Sequence, residues 1–402
     1  MRGKVVNAIY LSALFLFLLC LSIPVLPFSI QACALCLFVI YLIVAKIDIN
    51  VAYKKWTLVY LSFFLLSSLW ALSSKLALYV IFVNILPILL ITFSTISFIK
   101  KNQRINEVLF IIYIVALLML IYLATHIDEF LIGVRLSTSL NEEGDQPMWN
   151  SNGVGINLCF AIFAGFILFI NQNRCFLIRI IYCMTAIIMV GAIILTGSRK
   201  SLLILLMPVF YFLYKKQKKH FLLMLILTPL VAVLIYEIIM HVEVFYEAVG
   251  TRIEDMIAIM TDDTSGNEDT SRVTLIEFGL NKFLDNPILG VGINNFRFLS
   301  EEIYPGKNFY AHNNYVELLV DVGIIGFFVY YRAYLYLYSR LKSYTDTISM
   351  WCKVFLFVLL FLGFVEVLYY EPLEQLFFCL LFCIVEFNEN KILLNGKRIE
   401  NS

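Results

Sequence analysis

Two arginines and a histidine, far apart in the chain, have the chemistry needed to hold a phosphate group and deprotonate a hydroxyl. Arg199 lies in the segment GSRK, Arg272 in TSR, and His312 in HN, which is followed nine residues later by GxxG. A guanidinium group binds phosphate through two parallel hydrogen bonds, and a neutral imidazole can accept a proton near pH 7. Cationic groups at the ends of apolar helices are costly, so their presence indicates a use for them.

These residues must be positioned by membrane-spanning helices. The chain has 402 residues, 61% of them hydrophobic, and a mean hydropathy of +0.87, which excludes a soluble globular protein. We expect an all-α polytopic membrane protein whose first apolar segment is an anchor and not a cleaved signal peptide. The sequence predicts about twelve spans, over residues 5–24, 29–45, 57–73, 77–99, 107–125, 153–171, 176–196, 201–214, 221–240, 314–338, 350–369 and 374–387.

The distribution of charge predicts the orientation of these spans. The formal net charge is only +1, so charge gives no argument for nucleic acid as a partner. Most of the 30 Lys and Arg residues fall in alternate short connections, which places those connections and both termini in the cytoplasm. Arg199, Arg272 and His312 then all lie on the outer face. No cysteine is expected in an outer loop, so no structural disulfide is predicted.

We expect a single membrane domain over residues 1–402 with two outer loops, a smaller acidic one at 126–152 and a large one at 241–312. Within the large loop, the capping residues at 269–271 predict a helix that carries Arg272 in its first turn and stops at 285–287. The glycine-bearing segment 290–296 predicts a turn into a further helix. Aromatic residues of this loop could stack on sugars or form an interfacial belt: Tyr246, Phe296, Phe298, Tyr304, Phe309 and Tyr310.

His312 opens the predicted span 314–338. A helix N-terminus disfavours the imidazolium ion, so the ring is expected to be neutral, as a general base must be. At 100° per residue, Gly323 falls about 20° from His312 and Gly326 about 40° to the other side, which predicts a small-residue patch beneath the ring. A different face is shared by residues spaced four apart, on which a carboxylate could orient neighbouring groups: Asn313, Glu317 and Asp321. The alternative is a capping or interfacial histidine.

Arg199 precedes a short predicted span. Residues 201–214 form about 21 Å of helix, less than the roughly 30 Å hydrocarbon core, so Arg199 is expected to be recessed below the outer surface. A recessed cation needs an anion; the alternatives are a snorkelling arginine or a glutamate partner. Arg272 taken alone is typical of a solvated helix face. We find no nucleotide-binding motif and no metal-ligand spacing, so neither a metal nor a cofactor is expected.

The motifs TGSRK at a helix start, TSR before an amphipathic helix, GVG, and HN-x9-GxxG resemble the O-antigen ligase and polymerase superfamily, most strongly from about residue 150 to 340. Its members are GT-C-class integral-membrane glycosyltransferases. The resemblance implies a bacterial inner-membrane enzyme that acts at the periplasmic face on undecaprenyl-pyrophosphate-linked saccharides, without metal or nucleotide sugar. Arg199 and Arg272 would bind the donor pyrophosphate, and His312 would activate the acceptor hydroxyl. Asn313, Gly323 and Gly326 are expected to support the site.

Three functions remain open: a repeat-unit polymerase or an O-antigen ligase, both of which the resemblance allows, and a transporter, which it does not include. The GSRKS helix start is more similar to repeat-unit polymerases than to O-antigen ligases, which transfer polysaccharide to lipid A–core. A lipid-linked oligosaccharide flippase would also have about twelve spans. Such transporters usually show two similar halves and charges in mid-membrane, whereas the two halves of this chain differ and most of its charges lie outside the spans. The partners expected for a polymerase are the lipid-linked donor and acceptor, the membrane, a flippase and a chain-length regulator.

Overall fold

The computed structural model describes residues 2–23, 26–45, 51–102, 104–125, 151–171, 176–196, 198–216, 268–306 and 308–400, with isolated positions between 233 and 250. Most of the predicted loop 126–152, the predicted span 221–240 and the middle of the loop 241–312 therefore lie outside the described residues. The described part of the chain is helical and contains no β-strand.

The helices follow one another with short connections where the chain is described. In chain order they are α1 Arg2–Ser22, α2 Phe28–Ala45, α3 Val51–Ser67, α4 Ser74–Asn102, α5 Ile105–Ala124, α6 Ser151–Asn171, α7 Phe176–Leu195, α8 Arg199–Lys216, α9 Glu268–Asp285, α10 Phe296–Leu299, α11 Asn314–Leu341, α12 Thr347–Leu362 and α13 Pro372–Glu400. Helix α4 contains one π-helical stretch, Val80–Ile85.

The chain forms two compact units. One comprises Met1–Tyr10, Leu35–Arg104 and Gly266–Ser402, and the other comprises Leu11–Ala34 and Ile105–Ser265. Among the described residues, 7 helices are long and apolar enough to cross a membrane, namely α1, α2, α4, α5, α6, α7 and α11. This confirms a multi-pass membrane protein, whereas the count of about twelve spans stays a prediction.

Two predicted spans have the wrong bounds. The segment 57–73 is a helix that ends at Ser67 and then turns, and the segment 350–369 is a helix that ends at Leu362. Past the end of α12, apolar residues continue because some of them are buried inside the protein: Val367 and Leu368 are each 1% exposed. Past the end of α3, Leu69 and Leu72 are exposed, and the chain turns there to bond to the segment that carries Val291. Composition does not distinguish burial in protein from burial in lipid.

Helix α11 is broken at Gly323, which has φ 62° and ψ −173°. The break leaves backbone N–H and carbonyl groups without hydrogen-bond partners inside the helix, and the turn after α9 supplies these partners. The N–H groups of Ile324 and Ile325 donate to the carbonyls of Pro287 and Ile288 at 2.9 and 3.4 Å. On the other side of the break, the carbonyls of residues 320 and 321 accept from the N–H groups of residues 291 and 292 at 3.0 and 2.7 Å. Irregular backbone at membrane depth requires such internal partners.

This break corrects the helical-wheel expectation for His312. The wheel assumed one continuous helix from residue 312 to 326, but His312 precedes the helix and the turn at Gly323 resets the angle. Gly323 is instead required by its backbone conformation and by contact with the Ile288 carbonyl. Gly326 does have the expected packing role, since a Cβ there would lie 2.6 Å from the Phe63 ring of α3.

The carboxylate of Asp321 fastens α11 to the short helix α10. Asp321 is fully buried, and its two oxygens accept from the N–H groups of Asn294 and Phe296 at 2.6 and 2.7 Å. Its oxygens thereby satisfy N–H groups at a helix start, which have no partner within the helix. The predicted turn into a helix over 290–296 is thereby confirmed.

A small apolar core joins α9, α10 and the first half of α11. Its buried members are Leu275, Val291, Phe296, Leu299, Ala311, Val316 and Val320. The turn after α3 packs on the same segment, since Leu72 N–H donates to the Val291 carbonyl at 3.1 Å. Residues 268–322 are therefore a packed scaffold, and this scaffold positions the candidate site.

Candidate functional site

His312 is held in an unusual backbone conformation at the entrance of α11. Its φ is 52°, in the left-handed region that non-glycine residues rarely adopt. Such strain costs of order 1–3 kcal/mol and persists only where the surroundings impose it. Asn313 is the N-cap, and its side-chain oxygen accepts from the N–H groups of Tyr315 and Val316 at 3.0 and 3.1 Å. The supporting role predicted for Asn313 thus has a geometric basis.

Glu317 fixes the chain on the other side of His312. Its side chain is fully buried, and Oε2 accepts from the Ala311 N–H at 2.8 Å. The sequence placed this carboxylate one turn into the helix, where it could orient neighbouring groups. The neighbour that it orients is the backbone immediately before His312.

The connection between α12 and α13 packs against the start of α11. Asn314 is fully buried; its N–H donates to the Gly363 carbonyl at 2.7 Å, and its side-chain oxygen accepts from Leu368 N–H at 2.8 Å. The same side chain donates to the Tyr331 hydroxyl at 2.7 Å. These contacts bring the segment 363–371, predicted as the end of a span, to the loop that carries His312.

Two tyrosine rings and one arginine form a series of contacts that begins at His312. The ring centroids of Tyr310 and His312 are 3.9 Å apart. The guanidinium carbon of Arg297 lies 5.3 Å from the Tyr310 centroid and 5.6 Å from the Tyr370 centroid, distances typical of cation–π contacts. Arg297 also donates from Nη2 to the Tyr370 hydroxyl at 2.9 Å. We call Arg297, Tyr310 and Tyr370 the arginine–tyrosine clamp.

Arg272 and His312 share the neighbourhood of Tyr310. Burial raises the pKa of the Tyr310 hydroxyl to about 12, and the charges of Glu366 and Glu371 add to the rise, whereas the charge of Arg272 lowers it. Arg272 is thus close enough to act on the ring that contacts His312. Because two carboxylates of the segment 363–371 also act on this ring, the neighbourhood carries both signs of charge.

Arg199 belongs to the other compact unit, at the first residue of α8. The helix start is fixed by buried hydroxyls: Ser198 Oγ lies 2.8 Å from Ser201 Oγ and donates to Asn152 Oδ1 at 2.9 Å. Gly155 of α6 packs against them, since a Cβ there would lie 2.8 Å from Ser201 Cβ. The connection between α7 and α8 is as short as predicted, and Gly197 lies outside the described residues.

The structure therefore brings Arg272 and His312 into one neighbourhood, while the convergence of Arg199 with them stays a prediction. One detail for Arg272 is wrong: α9 begins at Glu268, so Arg272 is its fifth residue and does not lie in the first turn. The stop of α9 at Asp285 is confirmed.

Sequence reasoning missed four residues of this neighbourhood, and the reason differs among them. Arg297 was hidden in a short helix with no motif around it. Glu366, Glu371 and Tyr370 were assigned to spans or their edges because the surrounding residues are apolar. The signal that could have found them is the density of Glu and Tyr in EVLYYEP, which is unusual for a lipid-facing segment.

The expectation that loop aromatics stack on sugars is corrected for several residues. Phe296 is fully buried, and Tyr304 and Phe309 pack against the apolar core and each other with ring centroids 5.2 Å apart. Tyr310 contacts His312 and Arg297. Phe298 is 43% exposed, so its ring can still meet a ligand or the membrane interface.

A comparison with protein families gives an independent result. Residues 184–331 match the family model described as O-antigen ligase. No curated protein matches the chain significantly. The matched segment includes every predicted site residue, from Arg199 to Gly326. Residues 184–331 are thus similar to the O-antigen ligase family, which agrees with the resemblance that the sequence motifs carry.

Proposed function

We propose that this protein is a polysaccharide repeat-unit polymerase at the periplasmic face of the bacterial inner membrane. It transfers a glycan from undecaprenyl pyrophosphate to a hydroxyl group of a lipid-linked acceptor repeat. The family match supports a function of the O-antigen ligase or polymerase type. The observation that supports the assignment of the site is that Tyr310 contacts His312 and also lies within the electrostatic influence of Arg272, which is 40 positions earlier in the chain.

The proposed reaction is a displacement at the anomeric carbon. The acceptor oxygen forms a bond to this carbon while the bond to the pyrophosphate oxygen breaks. The hydroxyl proton passes to a ring nitrogen of His312, and undecaprenyl pyrophosphate leaves with the bonding electrons. Attack opposite the leaving group inverts the anomeric centre. Arg199 and Arg272 stabilise the charge that develops on the pyrophosphate leaving group, a task that a metal ion performs in many other enzymes.

The strained conformation of His312 supports the role of base. A general base must be aimed at the proton that it abstracts, and a small displacement of the reacting groups can cost about 100-fold in rate. The backbone of residues 311–314 is fixed by Glu317, by the Asn313 cap and by the Gly363 carbonyl. Glu366 and Glu371 add acceptors that suit the hydroxyl groups of a saccharide.

Purified protein in nanodiscs, supplied with its lipid-linked repeat, tests this proposal. We expect His312→Asn to lose about 1,000-fold or more in rate, as expected when an essential base is removed. Arg272→Lys and Arg199→Lys should each lose most activity because a lysine cannot bind pyrophosphate with two parallel hydrogen bonds. Arg332→Lys, an exposed position on α11, is the control. Unchanged polymerisation by His312→Asn would refute the assignment.

O-antigen ligase is the alternative function, because the family match covers both activities. A deletion strain separates them. Loss of a polymerase leaves lipid A–core carrying one repeat, whereas loss of a ligase leaves bare core with polymer still on the carrier lipid. Trapping of single repeats on the cytoplasmic side would instead indicate a transporter.

A further inference from the structure

The arginine–tyrosine clamp contacts His312 through the Tyr310 ring, and the proposed reaction gives it no role. Tyr310 has His312 on one side, at 3.9 Å between ring centroids, and Arg297 within 5.3 Å of its own centroid. These two groups pack against Tyr310, whose side chain is only partly exposed. Its position suits a support for the imidazole ring.

Arg297 is itself held firmly. It lies near two tyrosine rings and donates to the Tyr370 hydroxyl at 2.9 Å. Burial alone would lower the pKa of Arg297, but the nearby Tyr370 and Glu317 raise it above its ordinary value. The guanidinium group therefore keeps its charge in a half-buried place, where a cation–π contact is stronger than at an exposed site.

Arg297 also links the two parts of the structure that fix His312. Its charge attracts the carboxylate of Glu317, which accepts from the N–H group before His312. One arginine thus supports the histidine ring through Tyr310 and the histidine backbone through Glu317. Residues that hold a functional group in one rotamer commonly decide how well it works.

We propose that Tyr310, held by Arg297 and Tyr370, is a positioning residue that fixes the orientation of the His312 imidazole. This inference rests on the proposed function of His312 as a base. The aromatic ring of Tyr310 performs the task, because ring contact is what the geometry provides, and the hydroxyl is not required. Tyr370 acts one step further away, by holding Arg297.

Two substitutions at Tyr310 separate ring from hydroxyl. Tyr310→Phe keeps the ring, and we expect kcat within about twofold of wild type. Tyr310→Leu removes the ring; we expect kcat to fall about 10–100-fold while KM for the donor changes little, because orientation is lost and binding is not. Tyr338→Leu, which removes an exposed ring from the distant half of α11, is the matched control.

A chemical measurement makes the test independent of catalysis. Diethyl pyrocarbonate modifies accessible imidazoles, and peptide mass spectrometry reports each histidine separately. We expect His312 to react several-fold faster in Tyr310→Leu than in wild type or Tyr310→Phe. The exposed His241 serves as the internal reference for reagent activity. This readout remains informative even if the wild-type protein fails to polymerise glycan, an outcome that would count against the proposed function alone.

Three results would overturn the inference. One is a Tyr310→Leu protein with wild-type kcat and wild-type His312 reactivity. Another is a Tyr310→Phe protein as impaired as Tyr310→Leu, which would assign the effect to the hydroxyl. If Tyr310→Leu is not recovered folded, Tyr370→Phe decides, since it loosens Arg297 without emptying the site. It should lower kcat a few-fold and speed modification of His312, and no change in either would reject the clamp.

Discussion

Replacing Gly323 by alanine tests whether the break in α11 is the feature that shapes the site. The glycine has φ 62° and ψ −173°, a combination that is almost confined to glycine. A Cβ at this position would lie 2.3 Å from the Ile288 carbonyl oxygen and 2.4 Å from its carbon. Both are backbone atoms of the turn that satisfies the break, so they cannot move aside as a flexible side chain could.

The expected loss of stability has two parts. The backbone conformation costs an alanine about 1–3 kcal/mol, and relieving the contact with the backbone costs about the same again. The sum, about 2–6 kcal/mol, corresponds to a fall of about 4–12 °C in apparent melting temperature at about 2 °C per kcal/mol. Because the turn carries residues 290–296, polymerisation should fall as well.

Gly306→Ala is the matched control, because Gly306 also has a positive φ, 76°, but nothing lies within 4 Å of a Cβ placed there. It should cost only the conformational part, about 1–2 kcal/mol, and leave activity unchanged. Thermal unfolding of both variants in detergent, followed by size-exclusion chromatography, gives the comparison. A Gly323→Ala protein that melts no lower than Gly306→Ala would refute the account of the break.

Three further predictions concern the scaffold. Asp321→Asn should lower stability by about 1–3 kcal/mol, because the amide offers one acceptor where two backbone N–H groups now donate, while the exposed Glu301→Gln should change nothing measurable in the same melting assay. Gly155→Ala should reduce polymerisation by displacing the start of α8, whereas Gly191→Ala on α7, where nothing lies within 4 Å of an added Cβ, should not; equal activity of the two variants would show that this packing does not govern Arg199. Asp346 caps α12; burial alone would raise the pKa of this carboxyl, but hydrogen bonds from the helix start lower it. The stabilisation that this cap gives to the folded protein should therefore be present above about pH 4 and be lost as the pH falls further. The melting temperature of Asp346→Ala should accordingly depend less on acid pH.

The sequence alone predicted candidate residues for the site and several of the local elements that carry them. Asn286 and Pro287 predict the end of α9, and the helix does end at Asp285. The glycines at 290 and 292 predict a turn, and both have positive φ. These features follow from short-range chemistry, such as capping, the fixed φ of proline and the freedom of glycine, and such chemistry is fully written in neighbouring residues.

The sequence also gave the membrane character of the chain, because long apolar segments have few other uses. It did not give the ends of α3 and α12. An apolar residue is favourable against lipid and against protein alike, so composition predicts a span longer than the helix that forms. The segment 363–371 leaves the helix because Asn314, distant in sequence, offers hydrogen bonds to its backbone.

Only the tertiary structure decided where α11 breaks and what stands behind His312. A glycine permits a break, but the break forms at Gly323 because the turn 287–292 supplies partners for the freed N–H and carbonyl groups. Arg297 has no sequence motif; it becomes important through rings that come from residues 310 and 370. Long-range hydrogen bonds and ring contacts depend on which segments meet, and that is a property of the whole fold and not of any local stretch of sequence.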